Sequence, residues 1–202
     1  MELLLVHLTD IHIRDDEDLD VLSARTDSIG GAICNHITNP SETEVIFCVT
    51  GDLVFSGKDD QYAAAGLILD EIYSLINKRY PKVGIHSVFV PGNHDCDFDA
   101  PEEEVREPLL ISPALDISKP SALKACTAIQ KNFYVFGEEW DKKHGAMFCD
   151  DDKILTVNEL NFDSYGVHLK FHCINTSWCS KKHEEKGKMK ITTGKMLSLI
   201  HI

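Results

Sequence analysis

The sequence predicts an α/β fold in which helices flank a parallel β-sheet. Three short, almost wholly apolar runs occur in the first half of the chain, and segments with helical periodicity separate them. Apolar runs of this length are typical of strands buried on both faces, as in parallel sheets. Their alternation with helices favours right-handed βαβ units. The composition agrees, because 43% apolar and 26% charged residues are ordinary values for a globular protein.

The predicted parallel unit has the order strand, helix, strand, helix, strand. These elements cover residues 3–9, 19–37, 44–50, 62–80 and 84–90. The first helix has apolar residues at Leu22, Ile29 and Ile33, whose spacing places them on one helical face. Pro40 and Pro81 follow the two helices and end them, because proline lacks the amide hydrogen that a helix interior requires.

The pattern changes beyond residue 95. Residues 96–150 are rich in acids and prolines and give no strand signal, so we interpret them as a helical insertion or cap. They contain one predicted helix, at 121–140. Residues 154–160 and 167–175 regain strand character on either side of a turn, which predicts a β-hairpin in a second sheet. A last helix is predicted to begin at residue 192.

Charge and cysteine usage limit the class of protein. Lys and Arg total 20 against 33 Asp and Glu, a net charge of −13, which disfavours binding of duplex nucleic acid through a basic surface. No apolar run is long enough to span a membrane, and no secretory signal is recognisable. The seven cysteines form no Cys-x-x-Cys pair. We therefore expect a single cytoplasmic domain over residues 1–202, with reduced thiols.

Polar clusters follow each of the three predicted parallel strands. Asp10 and His12 follow the first strand, Gly51 and Asp52 the second, and the sequence Gly-Asn-His-Asp at 92–95 follows the third. The carboxyl ends of parallel strands meet at one edge of a sheet, so we expect these side chains to lie close together.

The residue types at this edge suit divalent metal ions. The oxygen atoms of carboxylates and of the Asn side-chain amide, and the nitrogen atoms of imidazoles, can bind Mn, Fe, Zn or Mg. No cysteine thiolate lies at these strand ends. Two ions about 3.5–4 Å apart can clamp a phosphoester during hydrolysis. We predict Asp10, His12, Asp52 and Asn93 as metal ligands, and Asp52 as the bridging ligand, because its carboxylate has two oxygens.

The motifs differ in how specific they are. An Asp-x-His or a Gly-Asp sequence taken alone is common in solvated loops and turns. Gly-Asn-His-Asp is more specific, since four fixed residues occur by chance about once in 10⁵ positions. The three motifs in this order, each at a predicted strand end, therefore favour a metal site over chance turns.

With these motifs the sequence resembles the calcineurin-like metallophosphoesterase family. That family shows Asp-x-His, Gly-Asp and Gly-Asn-His-Asp in this order, and the matches here are Asp10/His12, Gly51/Asp52 and residues 92–95. Phe55 stands where many members have a second acid. The resemblance implies a sandwich of two mixed sheets flanked by helices. It also implies a metal-dependent phosphoesterase that hydrolyses a phosphomonoester or phosphodiester at a dinuclear site with two divalent ions.

The resemblance also implies roles for two residues near the expected metal ligands. His94 would act in catalysis, as general acid or charge stabiliser beside the phosphoryl oxygen or the leaving group. Asp95 would orient the His94 imidazole and raise its basicity; the alternative for Asp95 is a turn cap. Two interpretations stay open for Arg14, which are contact with a substrate phosphate and an exposed position in an acidic loop.

One family motif is absent from this chain. No Gly-His-x-His sequence follows the first three motifs, although residues 175–178 are similar to the strand end that often precedes it. The resemblance therefore implies a C-terminally incomplete fold that lacks up to three histidine ligands. Further C-terminal domains, outside this chain, are compatible with it. The remaining histidines, among them His86 and His172, are expected to be structural.

The expected substrate is a small phosphoester, for example a nucleotide, because bound metals supply the positive charge that the acidic chain lacks. The alternative function is that of a truncated, non-catalytic module that binds a nucleotide or a partner. A related alternative is the leading fragment of a larger multidomain protein.

Overall fold

The computed structural model describes residues 1–14, 16–145 and 153–183. The strands are β1 (Glu2–Leu8), β2 (Thr43–Thr50), β3 (Gly84–Val90), β4 (Leu155–Phe162) and β5 (Val167–Ile174). The α-helices are α1 (Asp16–His36), α2 (Asp59–Arg79), α3 (Glu103–Ile111), α4 (Pro120–Cys126) and α5 (Lys131–His144). The helix predicted from residue 192 and most of the C-terminal loop before it lie outside the described residues.

The first three strands form the predicted parallel sheet, with β2 in the centre. In the register, Val6 of β1 lies beside Phe47 of β2, and Phe47 lies beside Ser87 of β3. The side chains of β2 at Val45, Ile46 and Phe47 are almost fully buried. Burial on both faces explains why this strand is so apolar in sequence.

Helices α1, α2 and α5 cover one face of the parallel sheet. Phe47 and Val49 of β2 belong to the same apolar core as Ile72 of α2 and Phe133 and Trp140 of α5. Residues 96–150 therefore do not act as one insertion or cap, because α5 belongs to the helical layer that covers the parallel sheet. The limits of the domain itself stay a prediction.

The β4–β5 hairpin covers the other face of the parallel sheet, which confirms the predicted two-sheet sandwich. Ile46 and Val88 from the parallel sheet pack with Leu160, Phe162 and Cys173 from the hairpin. The hairpin is antiparallel, and a short 3₁₀ turn at Asp163–Tyr165 connects its strands. Within the described residues, each sheet is thus purely parallel or purely antiparallel, where the resemblance implied mixed sheets.

A buried arginine attaches the chain beyond β5 to helix α3. The Arg106 side chain is fully buried and donates hydrogen bonds to the carbonyl oxygens of Cys126, Trp178 and Ser180. Its guanidinium also forms an ion pair with Glu103 at 2.8 Å. Such a charge is tolerated inside a protein because its donors all find acceptors. The 177–180 segment is fixed in this way close to the carboxyl edge of the parallel sheet.

The six described cysteines are free thiols, in agreement with the absence of paired motifs. Of the described helices, none combines the length and the apolar character that crossing a membrane requires.

Candidate metal centre

The loops after β1 and β2 run side by side and are hydrogen-bonded through their main chains. The amide of His12 donates to the carbonyl of Asp52 at 3.0 Å, and the amide of Phe55 donates to Ile13 at 2.9 Å. Ile13 and Val54 form a short parallel bridge and are almost fully buried. The path of both loops is therefore determined by backbone bonds and by buried apolar side chains.

Three of the predicted metal ligands have left-handed backbone conformations. The φ angles of Asp10, His12 and Asp52 are 54°, 55° and 54°. No other described non-glycine residue has a positive φ. This conformation costs roughly 1–3 kcal/mol for each residue and persists only where the surroundings enforce it, which is typical of functional sites. Strain concentrated on these residues marks the loops as a candidate site.

Two glycines allow the second and third loops to approach each other. A Cβ atom at Gly92 would lie 2.1 Å from the Oδ1 atom of Asp52, and one at Gly51 would lie 2.9 Å from the Cα atom of Gly92. Gly51 also has a φ of +96°, which other residues rarely adopt. The glycine at 92 therefore serves close approach, whereas Gly51 serves both the turn and close approach.

His12, Asp52 and His94 form the core of the site. One ligand atom from each residue lies within 4.8 Å of the others, and all three residues are half-buried. The two imidazole rings meet edge to face, with centroids 4.5 Å apart. The Nδ1 atom of His12 is buried and has no hydrogen-bond partner. Two imidazoles and a carboxylate fit Zn, Fe or Mn, and the unpartnered nitrogen is consistent with a ligand position.

Asp10 and Asn93 lie at the same edge but outside this compact group. An oxygen of Asp10 is 3.8 Å from Nε2 of His12, and the Thr9 hydroxyl donates a hydrogen bond to the other oxygen at 2.7 Å. Asp10, Asp52 and Asn93 also line one open cavity of about 400 Å³, together with Thr176 and Ser177. The structure thus brings all four predicted ligands to one edge of the sheet.

The contacts of His94 determine what its ring can do. The Phe55 carbonyl accepts a hydrogen bond from Nδ1 of His94 at 2.7 Å, so a neutral ring carries its proton on Nδ1 and leaves Nε2 unprotonated. The His94 amide donates to Oδ1 of Asp52 at 2.9 Å. His94 is therefore held at its ring by the main-chain oxygen of Phe55 and at its own amide by the carboxylate of Asp52.

The expected pairing of Asp95 with the His94 imidazole is wrong. The Asp95 carboxylate is fully buried and accepts hydrogen bonds from the amides of Val54 and Gly92 and from the Tyr62 hydroxyl. Both of its oxygens are thus occupied by other donors. Burial raises the pKa of Asp95 to about 6, although the hydrogen bonds oppose this shift. The Asp95 carboxylate thus joins the second loop to the third. It caps the turn at residues 92–95, which was the alternative role expected for it.

Sequence reasoning missed the polar network behind the site. The Ser177 hydroxyl donates to the carbonyl of Pro91 at 2.9 Å, and the Gln130 amide donates to Ser177 at 2.7 Å. Asn175 donates to Gln130 at 2.9 Å. The match of residues 175–178 to the family pattern was the only signal for this network, and nothing in the sequence pointed to Gln130.

Fold and site together define an α/β protein with a candidate metal centre at the carboxyl edge of its parallel sheet. A family model described as calcineurin-like phosphoesterase matches residues 3–190. The chain belongs to this family, which confirms the resemblance inferred from the three motifs. Neither the comparison with curated proteins nor the comparison with solved structures found a match.

Proposed function

We propose that this chain carries a metal-dependent phosphoesterase site that hydrolyses a phosphomonoester or phosphodiester with the help of two divalent ions. One observation carries the proposal: His12, Asp52 and His94 converge within 4.8 Å at the carboxyl edge of the sheet. Left-handed backbone conformations at His12 and Asp52 support it, because they are retained at an energetic cost.

Asp10, His12 and Asp52 would hold one ion, and Asp52 and Asn93 the other. Divalent ions supply charge stabilisation for phosphoryl oxygens and activate water for attack on phosphorus. The candidates are Mn, Fe, Zn and Mg. The Oδ1 atom of Asp52 already accepts the amide hydrogen of His94, which orients the carboxylate and leaves Oδ2 for the second contact of a bridging ligand.

His94 would serve as the general acid in the proposed reaction. Its Nδ1–H is bound to the Phe55 carbonyl, so the imidazolium form carries its mobile proton on Nε2. From there the proton can pass to the leaving-group oxygen as the ester bond breaks. The orienting acceptor is thus a main-chain oxygen, which no side-chain substitution at Phe55 removes.

We further infer a small phosphoester substrate, of which a nucleotide is one example. The cavity of about 400 Å³ has room for a phosphoryl group and part of its leaving group. The net charge of −13 disfavours duplex nucleic acid as the substrate.

We also infer a cytoplasmic location. The free thiols of the described cysteines support it, because disulfides are rare in the cytoplasm.

The test compares the parent chain with Asp52→Asn in Mn²⁺. Binding of Mn²⁺ is measured by titration calorimetry, and turnover with p-nitrophenyl phosphate and bis(p-nitrophenyl) phosphate. We expect the parent to bind one Mn²⁺ and to show weak, chelator-sensitive turnover, because the second ion would have only Asp52 and Asn93 as ligands. The variant should lose both the binding and the turnover. A variant equal to the parent in both measurements would contradict the proposal. Metal and phosphate binding without any turnover above the variant would favour the non-catalytic module.

A further inference from the structure

A solvent-exposed groove lies between helices α2 and α5 and shares no lining residue with the cavity at the metal centre. Helix α2 lines it from Asp59 to Asp70 and α5 from Asn132 to Lys143, around a cavity of about 330 Å³. In both helices the lining residues follow the spacing i, i+3, i+4, i+7, i+8 and i+11, so each wall is one helical face. The groove is therefore about three turns, or roughly 16 Å, long.

The two walls run in the same direction and are joined at both ends of the groove. At one end, the Asn132 side chain donates a hydrogen bond to the carbonyl of Gly57, just before α2, at 2.8 Å. At the other end, the Asp70 carboxylate accepts hydrogen bonds from Lys143 and, at 2.8 Å, from Nε2 of His144. The width of the groove is thus determined by contacts within the fold.

The groove has a packed apolar floor and exposed apolar side chains on its walls. The rings of Tyr62 and Phe136 stack in the floor with centroids 5.4 Å apart, and both residues are buried. Leu67 on one wall is 63% exposed, and Val135 on the other is 37% exposed. Gly66, beside Leu67, adds no side chain to the wall. An exposed leucine next to an apolar groove is typical of a binding surface.

The charges of the groove indicate what kind of partner fits it. Asp70 is already paired with Lys143 and His144. Asp59 and Glu139 are exposed, and within the described ranges no side chain forms an ion pair with either carboxylate. The uncompensated charges on the walls are therefore negative, and they favour a partner that carries positive charge.

The same charges argue against a second copy of this chain. A two-fold contact brings identical surfaces together, so the carboxylates of one groove would face those of the other. The net charge of −13 adds to this repulsion.

We propose that the α2–α5 groove binds an amphipathic helix of a partner protein, with apolar residues on one face and Lys or Arg on the flanks. Helices bind such grooves through apolar anchors at i, i+3 or i+4, and i+7, which a groove of three turns can hold. Leu67 and Val135 would be buried against these anchors, and the basic flanks would pair with Asp59 and Glu139. The binding surface is separate from the proposed metal chemistry and does not depend on it.

The test uses two designed four-turn helical peptides with a fluorescent label. Both carry Leu at the spacing i, i+3, i+4 and i+7, and they differ only in having Lys or Glu on the flanks. Affinities for the full chain are measured by fluorescence anisotropy. The variants in the groove are Leu67→Glu and Glu139→Lys.

Each variant has a matched control on an exposed helical position outside the groove. Ile111→Glu controls for Leu67→Glu, because Ile111 is 70% exposed and lies on α3. Glu138→Lys controls for Glu139→Lys, because Glu138 is the exposed neighbour on α5 that does not line the groove. The melting temperature and the sedimentation behaviour of all variants are recorded as well.

We expect the parent to bind the Lys peptide with a dissociation constant on the order of 10–100 μM and about tenfold more tightly than the Glu peptide. Leu67→Glu and Glu139→Lys should each weaken binding of the Lys peptide by about tenfold, the effect of removing a central contact. Glu139→Lys should also tighten binding of the Glu peptide. Both controls should stay within about threefold of the parent, although they change the net charge by the same amounts.

Failure to bind either peptide, equal affinities for both, or equal losses in the groove and control variants would overturn the inference. Two of these failures would identify another occupant. Self-association of the parent that Leu67→Glu abolishes would assign the groove to a second copy. A lower melting temperature of Leu67→Glu but not of Ile111→Glu, without peptide binding, would mean that another part of this chain covers the groove.

Discussion

At the scale of single residues, the site separates side chains that face the cavity from side chains that hold the loops. His12 and Asp52 have left-handed backbones, and one possible ligand atom of each lies within 4.8 Å of the other and of His94. Asp95, directly after His94, is buried and bonded to Val54, Gly92 and Tyr62. His94 thus lies at the site, whereas its neighbour Asp95 holds the loops. A sequence motif does not distinguish these two roles, and this is why the motif led to the wrong pairing of Asp95 with the imidazole.

The first prediction concerns the role of His94. Replacement of His94 by Gln should leave Mn²⁺ binding nearly intact and lower turnover by about 10²–10⁴, the usual effect of losing a general acid. Mn²⁺ binding is measured by calorimetry, and turnover with an aryl phosphate. Because His94 also lies within 4.8 Å of His12 and Asp52, loss of metal together with activity would make it a ligand instead.

At the scale of elements, the loops after β1, β2 and β3 form one unit. Main-chain bonds join the first loop to the second, and the Asp95 carboxylate joins the second to the third. Beyond β5, Ser177 and the buried Arg106 attach the hairpin end to the same edge. The ligand positions depend on close backbone contact between these segments, and Gly51 lies where two of them meet.

The second prediction tests this close contact with two equivalent substitutions. Gly51→Ala should destabilise the protein by about 1–3 kcal/mol and weaken Mn²⁺ binding, because of the φ of +96° and the approach of Gly92. Gly31→Ala is the control. Gly31 lies inside α1 with no atom within 4 Å of an added Cβ, so alanine there should stabilise by about 0.5–1 kcal/mol. Urea unfolding gives both values, and equal signs would refute the argument.

At the scale of the whole molecule, the sandwich could be predicted from the sequence, and so could the edge that carries the site. β3 has the predicted bounds, since an apolar run followed by Pro91 and Gly92 leaves little choice. The helix predicted over 121–140 is instead divided into α4, a 3₁₀ turn and α5. Thr127 bonds back to the Leu123 carbonyl there and ends α4, a local competition that periodicity does not reveal.

The contacts behind the site could not be predicted for a different reason. The acceptor for His94 is the main-chain oxygen of Phe55, which every residue type possesses. One partner of Ser177 is Gln130, which is distant in sequence and belongs to no motif. Such contacts depend on the three-dimensional path of the chain, whereas the ligands are recognisable because metal chemistry restricts their residue types.

The third prediction concerns the metal content of residues 1–202. One ion can use Asp10, His12 and Asp52, close to a three-ligand catalytic site, but the other has only Asp52 and Asn93. We expect one Mn²⁺ per chain to bind with useful affinity. When the free Mn²⁺ concentration is 100 times the dissociation constant, the bound ion should raise the free energy of unfolding by about 2.7 kcal/mol.

The readout is the melting temperature with and without Mn²⁺, together with elemental analysis. A stabilisation of that size should raise the melting temperature by roughly 5–10 °C for a chain of this length. Asp52→Asn should show no such rise, and His94→Gln should show most of it. Two tightly bound ions per parent chain would show that histidines expected to be structural complete the site. His172, His183 and His201 would then be mutated first.

The parallel bridge between Ile13 and Val54 has a consequence for how this site can change. Because main-chain bonds and buried side chains determine the paths of the first two loops, the side chains of Asp10 and His12 contribute little to the placement of these loops. The residues that bind the metal and the contacts that determine the loop paths are therefore largely different. Residues that tolerate a left-handed backbone, such as Asn, can therefore replace Asp10 and His12 and change which metal is bound while the frame keeps its shape. Asp52 belongs to the frame as well, because its Oδ1 accepts the amide hydrogen of His94.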